Sequence, residues 1–321
     1  MPALYICRDM KEITIKSFAK VNLSIDVKGL LEGGYHEVEM VMQQVGLYDE
    51  VKVSFEEAEE NEIKLHTNLP YLPTDERNLA FKAAQFFIQY GVYKIPNTAH
   101  GIISIDIKKK VPVAAGLAGG SGNGAAVLHA LNYLLDAKLS ISELCEIGKD
   151  LGSDVPFSIM GQAKANECLS DLFEGDELAT SAALAKGRGT ELEPIKGLDA
   201  YVILVKPPIG VSTKEVYQGI DNCVIERRPD NAELIEALEK KDYRKIYSSM
   251  ENVLESYTLE HYPIVQEVKD KVKDNTNALK ILMSGSGPTV FAIFKDKKSA
   301  VASCMKMREM KYECYWARTT K

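Results

Sequence analysis

The chain has few of the features that mark a membrane, secreted or metal-binding protein. No run of about 18 apolar residues occurs, so we expect no membrane-spanning helix. Residues 1–16 carry no apolar signal-peptide core, which predicts a cytoplasmic protein. The cysteines form no C-x-x-C pair and the histidines no H-x-x-x-H pair. Neither a zinc site nor a disulfide framework is therefore indicated.

The charge balance argues against a general nucleic-acid binder. Lys and Arg total 39 against 46 Asp and Glu, which gives a formal net charge of −7. Nucleic-acid-binding proteins are usually basic, whereas an acidic chain still binds phosphate groups where backbone N–H groups converge. We expect a small-molecule partner, neither nucleic acid nor membrane, and a monomer or homodimer.

The chain is long enough to form two domains with buried cores. Its 321 residues are 45% hydrophobic, and we place the domains at residues 1–190 and 191–321. Residues 162–181 have weak periodicity and are interpreted as a partly helical insertion. Residues 155–161 predict a buried segment that follows a turn.

Alternating apolar residues predict several strands, and helical spacing predicts helices between them. Residues 11–28 predict a pair of strands, and residues 38–57 predict two strands broken at 46–50. A helix is predicted from Asn78 to Tyr90. Another is predicted from Ser142 to Leu151, with Ser140 as its cap.

Glycine concentrates between a predicted strand and a predicted amphipathic helix, from Pro112 to Gly124. The last nine residues of this segment contain five glycines. Small residues let the backbone approach a ligand, and a helix N-terminus presents free N–H groups and a positive dipole end. These features predict a site for a phosphate chain. The alternative is a flexible loop between packed elements.

Phosphate loops of other classes do not fit this segment. No G-K-[ST] follows it, which excludes a Walker loop. Gly120-x-Gly122-x-x-Ala125 matches a relaxed dinucleotide pattern, but the long loop after Lys110 is wrong for the tight turn of that motif. Because no V-A-I-K or H-R-D context follows, a protein-kinase loop is excluded too.

The segment P-V-A-A-G-L-A-G-G-S-G-N-G-A-A, starting at Pro112, resembles the ATP loop of the GHMP small-molecule kinases. Within that superfamily, four more segments resemble the 4-diphosphocytidyl-2-C-methyl-D-erythritol kinases of the non-mevalonate isoprenoid pathway. In that family's order they are A-K-V-N-L from Ala19, G-Y-H-E from Gly34, L-G-S-D-V-P-F from Leu151 and M-S-G-S-G-P-T-V-F from Met283. The resemblance covers nearly the whole chain.

The resemblance implies an α+β fold of two domains, an N-terminal ribosomal-protein-like βαβ domain and a C-terminal ferredoxin-like domain. It implies an ATP-dependent kinase that uses Mg²⁺ and phosphorylates the 2-hydroxyl of a cytidine diphosphate-linked polyol. The implied nucleotide-binding residues are Pro112, Val113, Ala114, Ala115, Gly116, Leu117, Ala118, Gly119, Gly120, Ser121 and Gly122.

The resemblance also implies the catalytic and substrate-binding residues. Lys20 and Asp154 match the family's catalytic pair, in which the aspartate accepts the proton of the alcohol and the lysine stabilises negative charge. Taken singly, each has an ordinary structural alternative, a turn aspartate and a solvated lysine. The implied substrate-binding residues are Asn22, Tyr35, His36, Tyr217, Gly285 and Gly287.

The loop departs from the family pattern at its end. The family runs G-G-S-[ST]-D-A-A, whereas this chain has G-G-S-G-N-G-A from Gly119 to Ala125. A hydroxyl and a carboxylate are missing, which leaves Ser121 as the expected Mg²⁺ ligand. Two alternatives stay open: a GHMP kinase for homoserine, mevalonate or a sugar, and a non-catalytic nucleotide-binding relative.

Overall fold

The computed structural model describes residues 11–94 and 100–321; Cys7 lies outside them. The described chain divides into two compact units. The first unit contains described residues of the ranges 1–17, 49–110 and 120–176. The second unit contains residues 18–48, 111–119 and 177–321.

Strands and helices both contribute to the described chain. The strands are β1 (Lys11–Leu30), β2 (His36–Glu57), β3 (Glu62–Thr67), β4 (Gly101–Lys108), β5 (Ala182–Lys186), β6 (Glu191–Pro194), β7 (Tyr201–Lys206), β8 (Lys280–Met283), β9 (Val290–Phe294) and β10 (Glu313–Arg318). The α-helices are α1 (Leu79–Lys94), α2 (Gly119–Leu134), α3 (Ile141–Leu151), α4 (Val155–Ala165), α5 (Ser170–Phe173), α6 (Thr213–Ile220), α7 (Asn231–Lys240), α8 (Tyr243–Ser249), α9 (Glu255–His261), α10 (Pro263–Asn275) and α11 (Lys297–Glu309). The predicted α+β class is confirmed.

The first unit contains a βαβ arrangement. Strands β3 and β4 are parallel and are joined by α1. The second half of β2 pairs with β4 in the antiparallel sense, with Val53 opposite Ile105. Every second residue of β4 is buried, because one face of the strand is covered and the other is not.

Helix α2 differs from its prediction in start and in character. It begins at Gly119 instead of after Gly124. Gly124 has a packing role that explains a glycine inside the helix. A Cβ at this position would lie 3.3 Å from the carbonyl oxygen of Leu79, which is a tight contact. The helix is buried nearly all round rather than amphipathic, as expected of a helix in the centre of a core.

The second unit contains an antiparallel sheet with strand order β10-β7-β9-β8. Its core includes Val202 and Leu204 of β7 and Phe291 and Ile293 of β9. The first half of β2 pairs with β5, and β5 pairs with β6. Helices α6 to α11 belong to this unit.

Two strand predictions are wrong. Residues 11–28 form one strand, β1, instead of a pair, and β2 runs without the predicted break at 46–50. Gly46 marks a close approach, since a Cβ there would lie 3.1 Å from the carbonyl oxygen of Arg318. Glycine inside a strand often has this role.

Other local predictions are confirmed. Ser140 caps α3, and the Glu143 side chain completes the capping box. The segment 162–181 is partly helical, with the end of α4, a 3-10 helix at Glu167–Leu169, and α5. The buried segment predicted at 155–161 belongs to α4. The division into domains at residue 190 stays a prediction.

Candidate active site

The glycine-rich loop has an alternating backbone. Ala114, Gly116 and Ala118 have φ values of 50°, 71° and 56°, in the left-handed region. Left-handed residues at every second position turn successive N–H groups toward one side, which makes a concave surface suited to an anion. The intervening Ala115 and Leu117 are buried in the core of the second unit. Strained alanines of this kind are typical of ligand-binding loops.

A second glycine turn, Ser284 to Gly287, lies directly against this loop. The Ser284 hydroxyl donates a hydrogen bond of 3.0 Å to the carbonyl oxygen of Gly116. A Cβ added at Gly116 would lie 2.3 Å from the Ser284 carbonyl oxygen and 2.9 Å from that of Gly287. The two backbones therefore meet where only glycine fits. Gly285 and Gly287 are both left-handed, with φ values of 60° and 91°.

Lys20 of β1 joins the same group of residues. Its backbone N–H donates to the carbonyl oxygen of Leu117 over 3.1 Å, and its side chain is almost fully buried. The Lys20 Nζ donates to Asn22 Oδ1 over 2.7 Å. A Cβ added at Gly285 would lie 3.6 Å from that Nζ. Three segments distant in sequence thus converge in the second unit.

The second glycine turn is held by residues that the sequence motifs did not indicate. The Asn252 amide donates to the carbonyl oxygens of Met283 and Gly285, over 2.8 and 2.9 Å. The Thr258 hydroxyl donates to the Ser286 carbonyl oxygen over 3.2 Å. Nothing in the spacing of these side chains could have identified them, because they contact the turn only through the folded chain.

Two of the predicted ring-bearing residues, His36 and Tyr217, also meet in the second unit. Tyr35 and His36 follow a turn in which Gly33 and Gly34 are left-handed. The rings of His36 and Tyr217 have centroids 5.5 Å apart. The Tyr35 side chain is 53% exposed, so it offers a ring face for stacking.

Two further side chains contact this aromatic group and were missed by the sequence analysis. The Arg188 guanidinium lies 3.7 Å from the Tyr35 ring centroid. The Asp221 carboxylate lies 2.9 Å from Nε2 of His36. Arg188 was missed because a lone arginine in a turn has no diagnostic pattern.

In the first unit, the beginning of α2 is fixed by backbone contacts. Ser121 is half-buried and Gly122 is buried. The Gln162 amide donates to the Gly122 carbonyl oxygen over 2.8 Å. Gly120 is exposed. The first N–H groups of a helix have no acceptor within it, so this turn keeps donors for a ligand.

A buried polar cluster holds the next residue of α2. Asn123 Nδ2 donates to Asp49 Oδ2 over 2.9 Å and to Ser17 Oγ over 3.0 Å. The Lys109 ammonium contacts both Asp49 and Asn123 Oδ1. The backbone N–H of Lys110 donates to Asp49 Oδ1 over 2.6 Å. Asp49 is fully buried, and buried charges need partners of this kind.

Asp154 lies in the first unit, at the N-cap position of α4. Its carboxylate does not make a capping hydrogen bond to α4, which has Pro156 in its first turn. Its carbonyl oxygen accepts from the Ser158 N–H and hydroxyl, over 3.1 and 2.9 Å. The backbone around this aspartate is therefore ordered by α4.

The described residues limit how a metal ion could be held. Within residues 11–94 and 100–321, no group of three or more His, Cys, Asp or Glu side chains is placed to hold one. Ser121 offers a half-buried hydroxyl at the start of α2. Such a donor set fits Mg²⁺, which usually keeps waters and phosphate oxygens and takes few protein ligands.

No helix in the same ranges is long and apolar enough to cross a bilayer.

Family models match both parts of the chain. The model described as "GHMP kinases N terminal domain" matches residues 78–162, and "GHMP kinases C terminal" matches residues 234–310. With the α+β fold and the two glycine turns, these matches define a kinase of the GHMP class.

Curated relatives narrow this class. The 4-diphosphocytidyl-2-C-methyl-D-erythritol kinase of Clostridioides difficile (strain 630) is 44% identical over 299 residues, which cover 91% of this chain and 90% of the relative. The enzyme of the same name from Alkaliphilus metalliredigens (strain QYMF) is 41% identical, with 89% of each chain covered. The chain belongs to the family of 4-diphosphocytidyl-2-C-methyl-D-erythritol kinases, as its motifs predicted.

Solved structures agree on the fold. A 4-(cytidine 5'-diphospho)-2C-methyl-D-erythritol kinase superimposes with a TM-score of 0.73 at 25% identity, covering 96% of this chain and all of that one. A homoserine kinase from Cytophaga hutchinsonii gives a TM-score of 0.65 at 19% identity, over 100% of this chain and 97% of that one. The second likeness shows the fold alone.

Proposed function

We propose that this kinase transfers the terminal phosphoryl group of ATP to the 2-hydroxyl of 4-diphosphocytidyl-2-C-methyl-D-erythritol, in the cytoplasm. One observation carries the proposal: Lys20, the loop at Gly116 and Leu117, and the turn at Gly285 converge in the second unit. They come from three separate family motifs. Their convergence supports a shared function, which is to bind phosphate groups next to the Lys20 ammonium.

In the proposed mechanism, backbone N–H groups of residues 112–122 bind the phosphates of ATP. The 2-hydroxyl oxygen forms a bond to the terminal phosphorus, while the bond from that phosphorus to the bridging oxygen of ADP breaks. Asp154 takes the hydroxyl proton, and Lys20 stabilises the negative charge that develops. Ser121 would hold Mg²⁺, which neutralises charge on the phosphate oxygens.

The rest of the substrate is assigned to the polar and aromatic residues of the second unit. Asn22, next to Lys20, would bind the polyol. Tyr35 and Tyr217 would stack on the cytosine base, and His36 would hydrogen-bond with it. Gly285 and Gly287 let their turn approach the phosphates, because they carry no side chain.

The alternative substrates are less well supported. A homoserine, mevalonate or sugar kinase has no cytosine to recognise. The aromatic residues Tyr35, His36 and Tyr217 would then have no base to bind. A non-catalytic relative would not need the Lys20 ammonium buried beside the Gly285 turn. The identity of 44% to a relative named for the cytidyl substrate also favours the main proposal.

The test is an ADP-release assay with ATP, Mg²⁺ and one candidate alcohol at a time. We expect ADP with 4-diphosphocytidyl-2-C-methyl-D-erythritol and none above background with homoserine or mevalonate. Release with another alcohol alone would replace the proposed substrate. Nucleotide binding without release for any alcohol would instead favour the non-catalytic relative.

A substitution separates binding from chemistry. Asp154→Asn should lower kcat by at least about a hundredfold, because the proton acceptor is lost, while ATP affinity persists. Asp150→Asn, an exposed aspartate of α3, is the matched control and should keep wild-type turnover. Unchanged turnover in Asp154→Asn would remove Asp154 from the mechanism.

A further inference from the structure

The His36 ring is fixed by one carboxylate. Its side chain is 6% exposed, and Nε2 lies 2.9 Å from Asp221 Oδ1. An ionised carboxylate only accepts hydrogen bonds, so the hydrogen of a neutral His36 ring belongs on Nε2. The other nitrogen, Nδ1, is then an acceptor. The contact with Asp221 thus determines what His36 offers to a ligand.

Asp221 occupies a position that would otherwise disfavour a carboxylate. It is the C-cap residue of α6, where the negative end of the helix dipole opposes an anion. The hydrogen bond from His36 offsets that repulsion. The helix and the hydrogen bond together orient this carboxylate. It is therefore suited to fix the orientation and the hydrogen position of the His36 ring.

Helix α6 connects this pair with the second glycine turn. At its start, the hydroxyls of Thr213 and Ser286 lie 2.9 Å apart. Its buried residues Val216 and Ile220 anchor it in the second unit. An eight-residue helix is about 12 Å long. One rigid element therefore contacts both the turn assigned to phosphates and the ring assigned to the base.

We propose that Asp221 is a positioning residue that fixes the hydrogen of His36 on Nε2 and thereby makes the enzyme select a base that carries an amino group. The inference rests on the proposed function. The 4-amino group of cytosine donates to an acceptor at Nδ1. Uracil has a carbonyl oxygen at the same place, and two acceptors facing each other leave a buried polar group unsatisfied.

A second histidine–aspartate pair in the chain supplies a matched control. His66 Nδ1 and Asp106 Oδ2 are 3.0 Å apart, but their side chains are 75% and 60% exposed, against 6% for His36 and 45% for Asp221. An exposed pair contributes little and orients little. Asp106→Asn should therefore leave base selection unchanged.

The experiment compares kcat/KM for cytidine diphosphate- and uridine diphosphate-linked methylerythritol in wild type, Asp221→Asn, Asp221→Glu and Asp106→Asn. In Asp221→Asn, the new side-chain amide can donate to Nε2, which moves the ring hydrogen to Nδ1. This variant should lower the preference for cytidine by at least about tenfold, chiefly through KM. Asp221→Glu keeps a carboxylate and should retain part of the preference, and Asp106→Asn all of it.

A second readout does not depend on turnover. ¹⁵N NMR of the His36 ring should show the hydrogen on Nε2 in wild type and a changed ring state in Asp221→Asn. An unchanged base preference in Asp221→Asn, or a wild-type hydrogen on Nδ1, would overturn the inference. Wild type that phosphorylates neither substrate while the NMR result holds would instead refute the proposed function, and the role in base selection with it.

Discussion

Asn123 donates a hydrogen bond to Asp49 across 74 residues of sequence, and both side chains are buried. The Lys109 ammonium contacts both of them. One buried lysine therefore balances one buried carboxylate, and the neutral amide fills the remaining hydrogen-bonding positions. The family pattern has an aspartate at position 123. The neutral Asn123 of this chain thus suits a site in which Lys109 already balances the charge of Asp49.

The first prediction is that Asn123→Asp destabilises the protein. A second carboxylate beside Asp49 would share one lysine, and the two like charges would repel in a buried site. We expect the free energy of unfolding to fall by about 2 kcal/mol at neutral pH, measured by urea denaturation. The exposed Asn222→Asp is the control and should change it by less than about 0.5 kcal/mol. Equal effects of the two substitutions would contradict this account.

The second prediction concerns the contact between the two glycine turns. Gly116→Ala should weaken ATP binding at least tenfold, roughly, because its Cβ would be 2.3 Å from the Ser284 carbonyl oxygen. Gly175 has a similar φ of 78° but no atom within 4 Å of an added Cβ. Gly175→Ala therefore carries only the cost of a left-handed alanine, about 1–2 kcal/mol. Isothermal titration with a non-hydrolysable ATP analogue compares the two variants, and similar affinities would refute the steric argument.

The third prediction is a pH dependence of stability that arises from His129. This ring is fully buried in α2, and burial lowers the pKa of His129 from 6.5 to about 4. Its Nε2 lies 2.9 Å from the Ile159 carbonyl oxygen. Because the pKa is lower in the folded chain, the unfolded chain binds more protons between these two pH values. Stability contributed by the neutral ring is complete above pH 6.5 and is lost as the pH falls toward 4.

The measurement is urea unfolding at pH 7 and pH 5. His129 should account for a loss of about 2 kcal/mol between them. His129→Gln keeps a donor for Ile159 but cannot be protonated, so this part of the loss should disappear. His66→Gln, at an exposed histidine, should keep the wild-type slope. A wild-type slope in His129→Gln would show that other groups cause the pH dependence.

Local patterns predicted part of this structure well. Ser140 was identifiable as a helix cap. The glycine content of residues 116–124 indicated a phosphate loop, and that role stays a prediction. The left-handed Ala114 and Ala118 were not identifiable, because alanine has no preference for that backbone. They take it where the surrounding fold enforces it. The strand break expected at Gly46 is absent, since that glycine permits a backbone contact instead of a turn.

Contacts between side chains that are far apart in the sequence could not be predicted from local patterns either. Asp49 and Asn123, and His36 and Asp221, are pairs that only the folded chain brings together. A single sequence records the residue types but not the pairing. The motif residues could be found because each motif is contiguous, whereas the residues that position them are scattered.

The fourth prediction assigns a supporting role to Arg188. Its guanidinium lies 3.7 Å from the Tyr35 ring centroid, and Tyr35 is still 53% exposed. The guanidinium therefore covers part of the ring, and about half of the residue stays accessible to the proposed base. A cation over an exposed ring contributes about 0.5–1 kcal/mol. Without Arg188, the tyrosine would lose this restraint and more ordering entropy would be lost on binding.

Arg188→Ala should accordingly raise KM for the cytidyl substrate about two- to fivefold, with kcat and KM for ATP unchanged. Arg188→Lys keeps the charge but lacks the planar group that stacks on the ring, so it should restore KM only in part. Arg318→Ala is the control, because that guanidinium lies 5.5 Å from the Tyr201 ring centroid instead. A fall in kcat with unchanged KM would contradict this role, since a residue that only orders Tyr35 acts on binding and leaves the phosphoryl transfer itself untouched.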